Sequence, residues 1–103
     1  MTVLTSEDFV ARIEQSKESR DWRPVFEMIP YFSYLGLRIE NPDGKLTCVL
    51  PEDKKFIGNP TLPALHGGVI GAFLESTALV HLFATQDVTR LPKIINITVE
   101  YLR

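Results

Sequence analysis

Residues 65–86, LHGGVIGAFLESTALVHLFATQ, contain the pattern that decides the fold of this chain of 103 residues. The stretch is apolar on all sides, which predicts a long buried helix over about residues 67–85. Glu75 is the only side chain within residues 56–86 with a formal charge at pH 7. Because burying a carboxylate without a partner costs several kcal/mol or more, Glu75 is a candidate functional residue.

The helix is predicted to start at His66-Gly67-Gly68, nine residues before the acid. The first N–H groups of a helix have no intrahelical partner and carry partial positive charge, so they can polarise a carbonyl group. Glu75 lies about 12 Å beyond Gly67 along a helix, farther than its side chain reaches. Two antiparallel copies that cross near Gly71 would bring Glu75 of each copy to Gly67 of the other. We therefore expect a two-fold dimer with two composite sites.

The flanking segments indicate a mixed α+β fold. A helix is expected over about residues 7–18, starting at Ser6, and a shorter helix from Pro24 to Met28, stopped by Pro30. A hairpin follows, with strands over residues 34–40 and 45–50 and a turn at residues 41–44. Residues 51–64 are predicted to be a loop, and the alternation over residues 95–101 predicts a last strand. Three strands give poor cover to a helix that is apolar all round, so the chain looks unfinished.

Composition narrows the class of protein. The net charge of −2, without a basic patch, argues against nucleic-acid binding. Cys48 is the only cysteine, so no intrachain disulfide or thiol zinc site is expected, and it is interpreted as a packing residue of a strand. The first residues show no signal-peptide pattern, and we expect a cytoplasmic protein. Glycines, Glu75 and His81 interrupt the apolar stretch and argue against a membrane span.

A metal site is not expected from the two histidines and the acid. The spacings of nine residues from His66 to Glu75 and of six from Glu75 to His81 do not give a ligand pair on one helical face. His81 is interpreted as a core or interface residue.

The pattern resembles the hotdog-fold acyl-CoA thioesterases of the phenylacetate-degradation type. The resemblance rests on HGG followed by the acid, and on the segments IPYFSYLGLRIE at 29–40, FIGNPTLPALHGG at 56–68 and INITVEYLR at 95–103. It covers about residues 25–103 and implies the N-terminal part of a single hotdog domain, a long helix wrapped by antiparallel sheet, incomplete at the C-terminus. Residues 1–24 are expected to form an N-terminal helical segment before it.

The resemblance also implies roles for particular residues. Gly67 or Gly68 would donate a backbone N–H to the thioester oxygen, and Glu75 of the other subunit would act as general base on water or as nucleophile. His66 would orient the loop or contact the thioester. Asn59 is a candidate for a polar contact with the substrate. Ser76, independently of the resemblance, stands beside Glu75 and is interpreted either as a packing residue of the helix or as a substrate-site residue that positions water. Asn59 stands seven residues before His66, and the position six before, where the family usually has asparagine, is Pro60.

The expected partners are an acyl-CoA substrate and further protein chains. The resemblance implies a homo-oligomer, a dimer or a tetramer, and a second chain is one possible source of the missing strands. No cofactor is implied beyond the CoA of the substrate, and no membrane partner.

Two other functions stay open. The chain is alternatively a non-catalytic or partner-dependent hotdog subunit that binds acyl groups. A hotdog dehydratase is the third possibility, although an acid in the middle of the helix after HGG suits hydrolases better.

Overall fold

The computed structural model describes residues 5–102 and has a mixed α+β architecture. Four α-helices and four short strands follow one another along these described residues. They are α1 (Ser6–Ser19), α2 (Arg23–Phe26), α3 (Pro30–Leu35), β1 (Arg38–Glu40), β2 (Thr47–Val49), β3 (Ile57–Asn59), β4 (Leu62–Leu65) and α4 (Gly67–Thr85). Short 3-10 turns lie at Pro42–Gly44 and Lys54–Phe56. The strands form two separate antiparallel pairs, β1 with β2 and β3 with β4.

Helix α1 confirms the prediction of an N-terminal helix and starts one residue earlier than expected. Thr5, rather than Ser6, is the N-cap: its hydroxyl accepts from the backbone N–H of Asp8, and the Asp8 carboxylate accepts from the N–H of Thr5. This reciprocal pair satisfies two N–H groups at the helix start. At the other end, Lys17 forms an ion pair with Asp87, which ties α1 to the segment after α4.

The first predicted strand is partly wrong, because Pro30 starts a helix there instead of only stopping one. Proline fits the first turn of a helix, where its missing N–H costs nothing. Helix α3 then continues to Leu35 and ends at Gly36, whose φ of 66° is left-handed. Only Arg38–Glu40 remains as strand β1. The predicted hairpin itself is confirmed, since β1 pairs with β2 and Ile39 lies opposite Cys48.

Two further predictions about strands are wrong. Residues 51–64, expected to be a loop, contribute strand β3 and most of β4, which pair as a hairpin. The expected last strand is absent: residues 93–102 have no strand structure, and Ile95 is 97% exposed. Alternation of apolar and polar residues describes a strand only when a neighbouring strand takes its hydrogen bonds, and among residues 5–102 none lies beside this segment.

The core lies where the first three helices meet the C-terminal half of α4. Phe83 is its centre, since its ring packs against those of Phe9, Trp22 and Phe26 with centroids 5.6–6.3 Å away. Aromatic pairs at such separations add to the free energy gained from burial. The other buried members of this cluster are Ile13, Val25, Phe32 and Val80.

Helix α4 is confirmed as a long helix, but it is covered on one side only. Its buried residues are Ser76, Val80 and Phe83, whereas Leu74 is 46% exposed. Only the coarser prediction is thus confirmed, a mixed α+β fold with one long apolar helix and small antiparallel sheets. By length and composition alone α4 could also cross a membrane, a property that it shares with core helices of other proteins.

Candidate functional site

His66 holds the start of α4 in place through both its backbone and its ring. Its ring Nδ1 accepts a hydrogen bond of 2.9 Å from the backbone N–H of Gly68, which makes His66 the N-cap of the helix. Its own backbone N–H donates to the carbonyl oxygen of Phe56 at 2.7 Å. Because Nδ1 is an acceptor, the neutral imidazole carries its proton on Nε2. The exposed ring therefore presents an N–H donor to solvent.

The two glycines at the helix start differ in what their N–H groups do. The N–H of Gly68 is engaged by His66, while that of Gly67 has no acceptor among residues 5–102. Of the two candidate donors to a thioester oxygen, Gly67 is consequently the one that is free in this structure. A free N–H at the first turn of a long helix also lies at the positive end of the helix dipole.

Tyr101 packs against the helix start, which the sequence pattern did not predict. Its hydroxyl group donates a hydrogen bond of 2.7 Å to the carbonyl oxygen of Gly67. A Cβ atom at Gly67 would lie 3.4 Å from the Tyr101 ring, which is an ordinary van der Waals distance. The only signal for Tyr101 in the sequence was its place in the alternating segment, which says nothing about a residue 34 positions away.

Gly58 is a second residue that sequence reasoning missed. It lies on β3, and a Cβ atom there would come within 2.9 Å of the backbone Cα of His66. Glycine therefore allows the β3–β4 hairpin to approach the helix cap closely. Asn59, the neighbouring candidate for substrate contact, is engaged within the hairpin: its side-chain oxygen accepts from the N–H and the hydroxyl of Thr61.

Glu75 lines a cavity of about 400 Å³ beside the middle of α4, here named the Glu75 cavity. Among residues 5–102 its carboxylate has neither a hydrogen-bond nor an ion-pair partner. Ser76, the candidate for positioning water, lines the same cavity and is 4% exposed. The walls are mostly apolar and include Ile29, Phe32, Leu79 and Leu91. A carboxylate without a partner among residues 5–102, in a mostly apolar cavity that Lys93 also lines, is a candidate general base or nucleophile.

The candidate residues thus fall into two groups on one helix. His66, Gly67 and Gly68 stand at its start, and none of them lines the Glu75 cavity. The rise of a helix separates Gly67 from Glu75 by about 12 Å, so a single protomer does not bring the N–H of Gly67 and the carboxylate of Glu75 to one reacting group.

In the described part of the chain, Cys48 is not suited to act as a nucleophile, and no group of side chains is placed to hold a metal ion. Burial raises the pKa of the Cys48 thiol, and the neighbouring side chain of Thr77 opposes this only in part. A thiol with a raised pKa is a poor nucleophile, because the thiolate is the reactive form. Residues 5–102 contain no group of three or more His, Cys, Asp and Glu side chains placed to hold a metal ion.

Comparisons with known proteins found no matching family model, no matching curated protein and no matching solved structure.

Proposed function

We propose that this chain is a subunit of a hotdog-type acyl-CoA thioesterase, which hydrolyses an acyl-CoA thioester to a carboxylic acid and free CoA. One observation carries the proposal: the same apolar helix has an N–H at Gly67, directly after its histidine cap, and a carboxylate at Glu75, and neither has a partner among residues 5–102. Acyl transfer to water needs an oxyanion donor and a base or nucleophile, and these two groups supply them. The resemblance of the HGG segment and its flanks to such thioesterases supports the same conclusion.

In the general-base form of the reaction, Glu75 accepts a proton from water as the water oxygen bonds to the thioester carbonyl carbon. The carbonyl oxygen becomes an oxyanion and accepts a hydrogen bond from the N–H of Gly67, an interaction worth about 3–4 kcal/mol in such sites. The carbon–sulfur bond then breaks, and the CoA thiolate takes up a proton. In the nucleophile form, a Glu75 oxygen bonds to the carbonyl carbon, CoA leaves, and water hydrolyses the resulting anhydride.

The distance between the two groups requires a second copy of the chain. When two α4 helices pack antiparallel and cross near Gly71, Glu75 of one protomer approaches Gly67 of its partner. Gly71 supports this arrangement, because a Cβ atom there would meet nothing within 4 Å in one protomer. The exposed apolar side of α4, which includes Leu74, gives the contact a source of free energy.

Release of free CoA from short, long and aromatic acyl-CoA thioesters tests the proposal, with Glu75→Gln as the decisive variant. Glutamine keeps the size of the side chain and removes its charge, so we expect kcat to fall by about 10²–10⁴-fold. Glu14→Gln, which changes an exposed acid on α1, is the matched control and keeps full activity. Equal CoA release by wild type and Glu75→Gln would refute the assigned role. Crotonyl-CoA hydration, assayed in parallel, separates hydrolase from dehydratase activity.

A second candidate function is that of a partner-dependent or non-catalytic subunit that binds acyl groups. It is favoured by one observation, the large uncovered surface of α4 together with the unpaired segment of residues 93–102. In that case the purified chain alone binds acyl-CoA without releasing CoA, and activity appears only when a second chain that completes the sheet is added.

A further inference from the structure

A second and larger cavity lies directly beside the Glu75 cavity. It has a volume of about 780 Å³ and is lined by residues of α1, of the segment that leads into α3, and of the segment after α4. Two residues, Ile29 and Leu91, line both cavities and form the boundary between them. We name this second space the α1 cavity. The two cavities are consequently neighbours, and Glu75 lines only the smaller one.

The lining of the α1 cavity suits a hydrocarbon chain. Its part-buried lining residues are all apolar, namely Phe9, Met28 and Ile29. The polar residues that line it, Thr5, Ser6, Thr89 and Arg90, are all exposed. An apolar inner wall with polar groups only where water reaches them favours a ligand with an apolar portion. The volume also falls within the range of about 300–1,000 Å³ that is typical of small-molecule sites.

We propose that the α1 cavity takes the distal part of a long acyl chain whose thioester end lies at Glu75. This inference rests on the proposed function and assigns it a substrate class, the long-chain acyl thioesters. The acyl chain of the substrate starts in the Glu75 cavity, passes between Ile29 and Leu91, and ends against Phe9, Val10 and Met28. The Glu75 cavity alone holds a short acyl group, whereas both cavities together hold a long one.

Val10 offers a way to fill the α1 cavity without touching the core or the reacting groups. It lines this cavity but not the Glu75 cavity, and it is 39% exposed, so a larger side chain is tolerated there. The test variant is Val10→Trp. The matched control is Gln15→Trp, which places the same side chain at an exposed position of the same helix that lines neither cavity.

The first measurement is kcat/KM for acetyl-CoA, octanoyl-CoA and palmitoyl-CoA. We expect Val10→Trp to lower the value for palmitoyl-CoA by about tenfold or more, since each methylene excluded from an apolar pocket costs free energy. The value for acetyl-CoA stays unchanged, and Gln15→Trp changes neither. Equal loss for palmitoyl-CoA and acetyl-CoA, or no loss for either, would overturn the assignment of the α1 cavity.

The second measurement keeps the inference testable if no acyl-CoA is hydrolysed at all. Binding of the fluorescent fatty acid cis-parinaric acid is titrated with the wild-type chain and both variants. A dissociation constant that rises by about tenfold in Val10→Trp alone supports the α1 cavity as an acyl site even though the thioesterase proposal has failed. Absence of binding, or equal binding by all three proteins, overturns the inference.

Discussion

The hydroxyl group of Tyr101 donates a hydrogen bond to the carbonyl oxygen of Gly67, across 34 positions of sequence. This contact holds the last described segment, which has no strand partner within residues 5–102, against the start of the long helix. It also places an aromatic ring against the residue whose N–H is free to bind a substrate oxygen. Tyr101 thus couples the position of residues 93–102 to the start of α4.

Replacing Tyr101 should loosen that segment without unfolding the chain. We expect Tyr101→Phe to lower the free energy of unfolding by no more than about 1 kcal/mol, because one exposed hydrogen bond is lost and the ring contact stays. Tyr101→Ala removes both and should speed tryptic cleavage after Lys93. Ile95→Ala, a change at a residue that is 97% exposed in the same segment, is the control. The same cleavage rate in the two alanine variants would contradict the fastening role.

Phe83 should be one of the most costly positions to truncate. Its side chain is 1% exposed and contacts three aromatic rings, so Phe83→Ala leaves a cavity and should cost about 3–5 kcal/mol in a urea titration. The neighbouring Leu82 is 36% exposed, and Leu82→Ala should cost much less. Equal losses would mean that the core does not lie on this side of α4. Domains of this size are typically stable by about 5–15 kcal/mol, so the Phe83 variant should be close to unfolding.

Two glycine-to-alanine changes should have opposite effects on stability. At Gly58 the new methyl group would lie 2.9 Å from backbone of His66, so the β3–β4 hairpin must shift, and the melting temperature should fall. At Gly71 the methyl group meets nothing within 4 Å, and alanine is better than glycine inside a helix by about 1 kcal/mol. At low protein concentration Gly71→Ala should therefore raise the melting temperature. A rise in both variants would contradict the close approach of the hairpin to the helix cap.

Protein concentration then tests the crossing of two helices at Gly71. If two copies pack closely there, the added methyl group should weaken the dimer in sedimentation experiments while it stabilises the isolated protomer. Unchanged self-association of Gly71→Ala would place the crossing elsewhere on α4.

The reactivity of Cys48 should depend on pH in a defined direction. Burial penalises the thiolate, so the raised pKa means that the folded protein loses this proton at a higher pH than the unfolded chain. The midpoint of the pH profile for iodoacetamide alkylation should therefore lie higher in buffer than in urea. By linkage, raising the pH through this interval also destabilises the folded state, because the unfolded thiol ionises first. A midpoint in buffer at or below that in urea would contradict this assignment.

Much of the fold could be predicted because its signals are local. The polar start of α1, the turn at residues 41–44 and the apolar run of α4 each fix a short stretch of backbone by themselves, although the N-cap of α1 is Thr5 and not the predicted Ser6. Of the site, the sequence identified His66 and its glycines as the start of a helix, and Glu75 as an acid in its middle. These features follow from residue type and spacing along one helix.

Only the tertiary structure decided which distant groups meet. The contact of Tyr101 with Gly67, the close approach of Gly58 to His66, and the boundary that Ile29 and Leu91 form between two cavities all join separate segments. Within the described range of 5–102, the tertiary structure likewise leaves residues 93–102 without a strand partner, although the alternation over residues 95–101 predicted a strand. The physical reason is that helices and turns satisfy their hydrogen bonds among neighbours in sequence, whereas strands and cavities depend on packing between segments far apart in the chain.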